Sequence, residues 1–410
     1  MTTKPRICFI CDQKADIHFP PHFLEVYGER LRNRGYQTSI LAYAADINSD
    51  HAKKLMDNGV DLMSKAAPDN LAGRLFFYLR RSFGWMKVLW FKTGVKDADI
   101  LFVHNDPLVG TLAWIKARLT GKKFIYRITH LMPEEALIRS DLKKHWKVLG
   151  KVAQRWRNWL ISRSDYVMPM SAEMARSLHA QSYFPKGRVY PFESMIDFQN
   201  DNKPEKTLIN AVKDKMKLNG AGYWMTYVGT LSPGRELSLI IDTLKDVRDL
   251  GIDAGLLIFG VAAKPEYLKV LQDYARGVDV FDYIIWNDPV PEAQLKHTLA
   301  LADVGLSPFP VNEVMRNNSP LKVLEYLRAE IPSVVSPIPD HEEVMRETGY
   351  GEMAEFTPSA FANAVKLIYD NPDKYEGAFK AKGKKWLHEN RDLSSAINLL
   401  EKTFEKVCQA

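Results

Sequence analysis

Cysteine is scarce: three residues in a chain of 410, too few for the disulfide framework that holds small secreted domains together. Cys8 and Cys11 form a C-x-x-C, but they sit in an apolar run expected to be a strand, where an odd offset sends the two side chains to opposite faces. Long uncharged apolar runs are missing as well. No stretch approaches the roughly 18–20 residues that span a bilayer, and the opening MTTKPRICFICD has no apolar core before a small-residue cleavage site. These absences predict a cytoplasmic chain. What is present, 46% hydrophobic and 26% charged residues, is the balance of a folded protein. A length of 410 residues exceeds what one core sustains, so two domains are expected.

Charge is divided unevenly. Residues 1–200 carry 31 Lys plus Arg against 19 Asp plus Glu, or +12, and the remainder carries 25 against 31, or −6, which together give the net +6. A basic half suits an anionic partner: phospholipid headgroups, a lipid-linked pyrophosphate or nucleic acid. Residues 74–92, RLFFYLRRSFGWMKVLWFK, mix five basic residues with seven aromatics, as an interfacial helix does. A core helix accounts for the same aromatics, and Gly84 weakens a continuous helix. No RNP, zinc-ligand or helix-turn-helix signature accompanies the charge, so no nucleic-acid partner is expected.

Strand and helix patterns alternate from the start. Residues 6–11 are apolar, residues 23–34 have helical periodicity before Gly35, and TSILAY is a second strand; this β-α-β beginning predicts an α/β chain with a parallel, doubly wound sheet. The loop after the first strand, CDQKADIHFPPH, carries Asp12, His18 and His22. ADILFVHND at 98–106 is a strand ending in polar residues, and FIYRITH at 124–130 repeats the pattern and runs into MPEE. Carboxyl ends of strands face the ligand crevice of an open α/β sheet, which places His104, Asn105, Asp106, His130 and Glu134 on its rim. Ser171 is expected to cap the helix after the next strand. A polar linker, FESMIDFQNDNKPEK, closes the first domain near Ile196.

The second domain opens with YWMTYVGTLSPGREL: a strand, a turn at Gly229, and a helix from Glu236. Arg235, just ahead of that helix, can donate two hydrogen bonds to a phosphate. Two further strands follow at 255–260 and 283–286, then LADVGLSPF with Pro308 and Phe309. RNNSPLKVLEYLRAEIPSVVS, residues 316–336, is the most informative stretch. Ser319 and Pro320 start a helix; Leu321, Leu324 and Leu327 bury one face of it, and Glu325 falls on another. Such a helix start beside Lys322 is a seat for an anion such as a diphosphate. The Glu325 carboxylate, one to two turns on, can accept hydrogen bonds from sugar hydroxyls.

This stretch resembles the donor-nucleotide signature of the retaining GT-B glycosyltransferases of family 4, in the branch reading N-x-x-P-x-K-x-x-E-Y-x-x-x-x-x-P. Asn317, Pro320, Lys322, Glu325, Tyr326 and Pro332 stand at its fixed positions. The resemblance implies two Rossmann-like doubly wound domains facing each other across a cleft. Residues 1–196 would bind the acceptor, 197–222 would be a linker and connecting helix, 223–390 would bind the nucleotide sugar, and 391–410 would be a helix crossing back. It implies a UDP- or GDP-sugar donor, with Gly229, Arg235, Ser319 and Lys322 at the diphosphate, Glu325 at the ribose, and Val290 and Phe309 near the base. Asp12, His104, Asp106 and Glu134 would line the acceptor side. His130 and Asn317 fall at catalytic positions, although the family often has aspartate at the first and a glutamate at the second. Thr230 replaces a second basic residue after the glycine.

By the same resemblance, configuration is retained by front-face attack without a protein nucleophile, and no metal or other cofactor is expected. Asp97-Ala98-Asp99 matches a D-x-D string, but it precedes a strand at the end away from the crevice. The implied acceptor is a lipid-linked or oligosaccharide intermediate of surface-polysaccharide synthesis; residues 74–92, by their composition, are the candidate for peripheral membrane contact. A GT-B sugar-nucleotide epimerase, or a silent nucleotide-binding scaffold, would share the fold and the donor pocket.

Overall fold

Short apolar runs rich in β-branched and aromatic residues alternate with amphipathic stretches, and each run becomes a parallel strand covered by the helices between. A computed structural model describes residues 4–14, 23–44, 46–64, 83–138, 144–181, 188–198, 204–262 and 265–409. The chain divides into two units, one made of Met1–Glu193 with Ala396–Ala410, the other of Ser194–Ser395.

The first unit holds β1 (Arg6–Lys14), β2 (Gln37–Ala44), β3 (Val60–Ser64), β4 (Ile100–His104), β5 (Lys123–Ile128) and β6 (Tyr166–Pro169). They form one sheet in the order β3-β2-β1-β4-β5-β6, with every pairing parallel. The central strands are buried on both faces, so they read as continuous apolar runs without alternation. One face is covered by residues 83–91, Pro107–Thr120 and Lys144–Arg163, which contribute Trp85, Leu89, Val109, Ala113, Leu160 and Ile161 to the core. On the other face Phe9, Tyr27 and Phe102 stack together, and the end of the C-terminal helix Leu393–Gln409 joins them. Its Phe404 ring lies 6.4 Å from Phe9 and from Phe102, while Glu401 pairs with Lys4 and Arg34 at 2.8 and 3.0 Å.

The second unit repeats the plan with β7 (Tyr223–Val228), β8 (Ala254–Phe259), β9 (Ile284–Asn287), β10 (Val304–Ser307), β11 (Ser333–Val335) and β12 (Gly351–Met353). Their order is β12-β11-β10-β7-β8-β9, again all parallel. Counted from the first strand of each unit, both sheets follow the doubly wound order 3-2-1-4-5-6, whose direction reverses beside the first strand. That switch point falls between β1 and β4 in one unit and between β7 and β10 in the other.

The helix Leu321–Arg328 lies directly on the second switch point. Its Tyr326 ring is buried, and the Tyr326 hydroxyl donates to the Leu306 carbonyl at 3.0 Å and accepts from the Val228 N–H at 3.2 Å. The ring reaches that depth because residue 305 is glycine: a Cβ there would stand 2.4 Å from the Tyr326 ring carbons. Gly305→Ala should therefore cost about 3 kcal/mol through overpacking. The expected readout is a lower urea midpoint for the second unit with an unchanged m-value.

One local expectation changes. The helix after Arg235 starts at Ser238 rather than Glu236, because Pro233–Arg235 forms a 3-10 turn and Glu236 follows in the left-handed region at φ 50°. Residues 74–82 and the loop histidines His18 and His22 lie outside the described residues. The described part of the aromatic segment, residues 83–91, is helical and inserts Trp85 and Leu89 into the first unit's core, so at least those aromatic and aliphatic groups are structural.

Candidate functional site

At the second unit's switch point, β7 ends in Gly229 and β10 runs through Ser307 toward Phe309. Gly229 has φ +140°, a conformation that costs an L side chain strain, and it presses against Gly260 after β8: a Cβ on Gly260 would lie 2.1 Å from the Gly229 carbonyl oxygen. The two glycines thus let the loops after β7 and β8 close on each other. Lys322 reaches Gly229 from the first turn of Leu321–Arg328. A Cβ on Gly229 would be 3.5 Å from the Lys322 Nζ, which sits 4.0 Å above the Tyr227 ring and 5.1 Å from the Phe309 ring. Arg235, in the turn after β7, holds its guanidinium 4.4 Å from the same Phe309 ring.

Two cations therefore share one aromatic ring, and Lys322 has no carboxylate partner among the described residues. Burial drives the Lys322 ammonium well below the usual lysine range, and Arg235 pushes in the same direction. Concentrated positive charge in a poorly solvated place, beside a glycine turn and a helix start, is what a diphosphate would relieve.

The platform under these cations is rigid. The Phe309 N–H donates to Ser336 Oγ at 2.8 Å, and the ring meets His341 edge-on at 5.6 Å. His341 Nδ1 faces the Ser336 carbonyl at 2.8 Å, so it must carry the proton, leaving Nε2 to accept from the Ser307 hydroxyl at 3.2 Å. Burial lowers the His341 pKa to about 3, with Lys322 adding to the effect and the Ser336 contact opposing it. His341 is thus a neutral strut at physiological pH.

Ser319 is a correction. The helix begins at Leu321 with Pro320 at its N-cap and no side-chain cap, because the Ser319 hydroxyl is used elsewhere. It donates to Asp340 Oδ1 at 3.0 Å and accepts from the Ser194 N–H at 3.0 Å and from Arg391 Nη1 at 3.3 Å, which saturates its oxygen. Glu325 is buried, with its carboxylate 3.6 Å from Arg328. Asn317 is buried in a short turn, its amide donating to the Glu313 carbonyl, and Val290 packs beside the cluster built on Leu257, Ile285 and Leu299. Gly229, Arg235, Phe309 and Lys322 are thus gathered by direct contacts, while Asn317, Glu325 and Val290 lie in neighbouring environments.

In the first unit, Glu134 also departs from expectation. Asp106 accepts from the Val109 N–H at 2.8 Å as the N-cap of Pro107–Thr120. Glu134 is buried rather than on a rim, held by Arg157 through two hydrogen bonds of 2.6 Å and by Gln154 at 3.0 Å. Burial alone would raise its carboxyl, but the Arg157 hydrogen bonds and charge prevail and hold it below the usual range. His104 closes β4, buried between the Tyr27 and Phe102 rings at 5.6 and 5.3 Å. His130 is half-buried and hydrogen-bonded to Glu135 at 2.7 Å. Asp12 lies in β1, its side chain outside the described residues. Asp99, of the D-x-D string, holds Arg6 at the amino end of the sheet.

The description "Glycosyl transferases group 1" matches residues 209–386, the body of the second unit, and "Glycosyl transferase 4-like domain" matches residues 23–192 of the first. The chain belongs to the family 4-like GT-B glycosyltransferases. No curated protein matches this glycosyltransferase by sequence. Its two-sheet fold is similar to that of Anabaena HepE in complex with UDP-glucose (TM-score 0.69, 12% identity, 99% of this chain and 100% of that one). Sucrose-phosphate synthase from Thermosynechococcus elongatus is similar too (TM-score 0.73, 12% identity, 99% and 100%), as is a UDP-forming trehalose-phosphate synthase from Burkholderia xenovorans (TM-score 0.69, 12% identity, 99% and 100%). At such identities the likeness carries the GT-B fold.

Several residues that build this glycosyltransferase's site escape a reading of the sequence. Tyr227 and His341 bracket Lys322 and Phe309 from strand and helix positions that look like ordinary core. Arg127 carried a signal, a charge inside the buried strand FIYRITH. It is buried, lies 4.4 Å from the Phe192 ring, and has no carboxylate partner among the described residues; burial lowers its pKa to about 10.

Proposed function

We propose that the chain is a retaining, nucleoside-diphosphate-sugar-dependent transferase whose second unit holds the donor and whose basic first unit holds a lipid-linked or oligosaccharide acceptor. The observation that carries this is the convergence of Lys322 and Arg235 on Phe309, beside Gly229. As the bond from sugar to diphosphate breaks, negative charge grows on the leaving oxygens, and two preplaced cations stabilise it more than they stabilise the ground state. In this reading they offset the charge without a metal. Glu325 accepts hydrogen bonds from the ribose and Val290 and Phe309 flank the base; Asn317 in the second unit and His130 in the first are the candidate catalytic residues, and His104 is a candidate for the acceptor. Attack from the leaving-group face retains configuration and needs no protein nucleophile. Uridine is the base to test first, since HepE is known in complexes with UDP and UDP-glucose.

Thermal unfolding of the purified protein with UDP, GDP and their hexoses tests the proposal. A ligand at a hundred times its Kd stabilises the folded state by about 2.7 kcal/mol, so one nucleotide diphosphate should raise Tm by a few degrees and its sugar conjugate should be hydrolysed slowly. If none of them moves Tm, the donor assignment fails. Binding with release of an epimerised sugar nucleotide would replace transfer by epimerisation, and binding without turnover would indicate a silent scaffold.

A further inference from the structure

In the first unit, the helix Lys144–Arg163 turns an unusual face outward. Its 20 residues include six Lys or Arg and no Asp or Glu. Arg157 is spent on Glu134 inside the unit, and the inward side is set by Gly150, Arg157, Leu160 and Ile161. On the exposed half, Leu149, Val152, Trp156 and Trp159 follow one another at intervals of three and four residues. Lys144, Lys147, Lys151 and Arg155 do the same one step around the helix. At 100° per residue these are two parallel stripes, one apolar and one cationic, lying side by side.

The apolar stripe is in water: Leu149 and Val152 are 52% and 54% exposed, and Trp156 and Trp159 are exposed as well. Two of its rings are fixed in place, since Trp156 Nε1 donates to Thr111 Oγ1 at 2.9 Å and Trp159 meets Trp114 edge-on at 5.2 Å. Rigid indoles beside aliphatic groups, bordered by cations, match the boundary between acyl chains and anionic headgroups, where indole rings sit at headgroup level and lysine stems reach phosphate. An ordinary solvated helix would carry both signs of charge on its outer face. We propose that this face rests on an anionic phospholipid surface, with the helix lying in the plane of the interface. The inference rests on the first unit alone, and so stands or falls separately from the donor site. Among the described residues no helix is long and apolar enough to cross a membrane, so the contact proposed is peripheral.

Co-sedimentation of the full chain with vesicles decides it, using phosphatidylcholine alone and phosphatidylcholine with about a third phosphatidylglycerol. Binding should be confined to the anionic vesicles, weaken in 0.5 M salt on the order expected for screened surface charges, and shift tryptophan emission to the blue. Each basic side chain near an anionic surface contributes about a fivefold factor, so Lys147→Glu with Lys151→Glu should weaken binding more than tenfold. Leu149→Ser with Val152→Ser should weaken it about tenfold and abolish the blue shift. Among the described residues these four side chains make no hydrogen bond or ion pair, and a cooperative thermal unfolding transition with an unchanged midpoint confirms folding of each variant without vesicles. The proposal is overturned if the unaltered protein stays in the supernatant with anionic vesicles, if both variants sediment as it does, or if gel filtration shows this face buried in a dimer that the Leu149 and Val152 substitutions dissociate.

Discussion

Replacing Lys322 with methionine should weaken nucleoside-diphosphate binding by roughly tenfold to a hundredfold, the scale of one charge-assisted contact, and at the same time make the ligand-free protein more stable. The opposite signs follow from where Lys322 lies. Its Nζ is above Tyr227, near Phe309 and within reach of the Arg235 charge, so without a ligand the ammonium is poorly solvated and repelled. Methionine fills similar space without the charge, and the strain disappears. A lysine kept for its ion pairs would behave in reverse, and Lys322 has none among the described residues.

Proton linkage gives the same test a second reading. The free protein's Lys322 pKa is depressed, and an anion at the site would raise it, so binding takes up a proton in the window between the two values. Affinity should be constant below that window and fall with rising pH inside it, by up to about tenfold per unit. Calorimetry in two buffers of different ionisation enthalpy should detect the proton in the unaltered protein and miss it in Lys322→Met. Unchanged nucleotide affinity in the variant, or a loss of stability in place of a gain, would sink the diphosphate assignment.

Much of this arrangement was legible before the fold was known, and the limits have physical causes. Period and punctuation carry strand and helix identity, so β1, β2, β4, β5, β7 and β8 emerge from apolar runs ending at glycine or polar residues, and strand–helix alternation gives the parallel sheet. The fixed spacing around Pro320 located Lys322, and the glycine turn located Gly229 and Arg235. What spacing cannot reveal is which polar group a side chain satisfies once buried. Ser319 looked like a helix cap because Ser-Pro is a common start, yet Asp340 and Arg391, 21 and 72 residues away, claim its hydroxyl. Glu134 looked like a rim residue because it follows a strand, but Arg157, 23 residues on, takes it first. Partners distant in sequence decide each case.

The largest stability effect should come from Asp340→Ala, with a loss of about 3–5 kcal/mol in the second unit, the usual consequence of breaking one side of a buried ion pair. Arg391 is 1% exposed, and its Nη2 meets Asp340 Oδ1 at 3.0 Å while Nη1 reaches Ser319. Removing the carboxylate takes the acceptor at 3.0 Å from that guanidinium, and Glu343 stands farther off at 3.6 Å. It also deprives the Ser319 hydroxyl of its acceptor. The damage should spread beyond one bond because the chain is stitched at this place: the Ile196 N–H donates to the Arg391 carbonyl at 2.8 Å and the Leu393 N–H to the Ile196 carbonyl at 2.9 Å, while Ser194 is tied to Ser319. The first and last segments of the second unit thus converge on the residue three positions before Lys322. Urea unfolding of Asp340→Ala, Arg391→Met and the double variant gives the coupling, and the double variant should recover much of the loss, since an apolar pair avoids burying an uncompensated charge. A single-variant loss below about 1 kcal/mol, or strictly additive effects, would show that the pair is no more than a surface ion pair in its energetics.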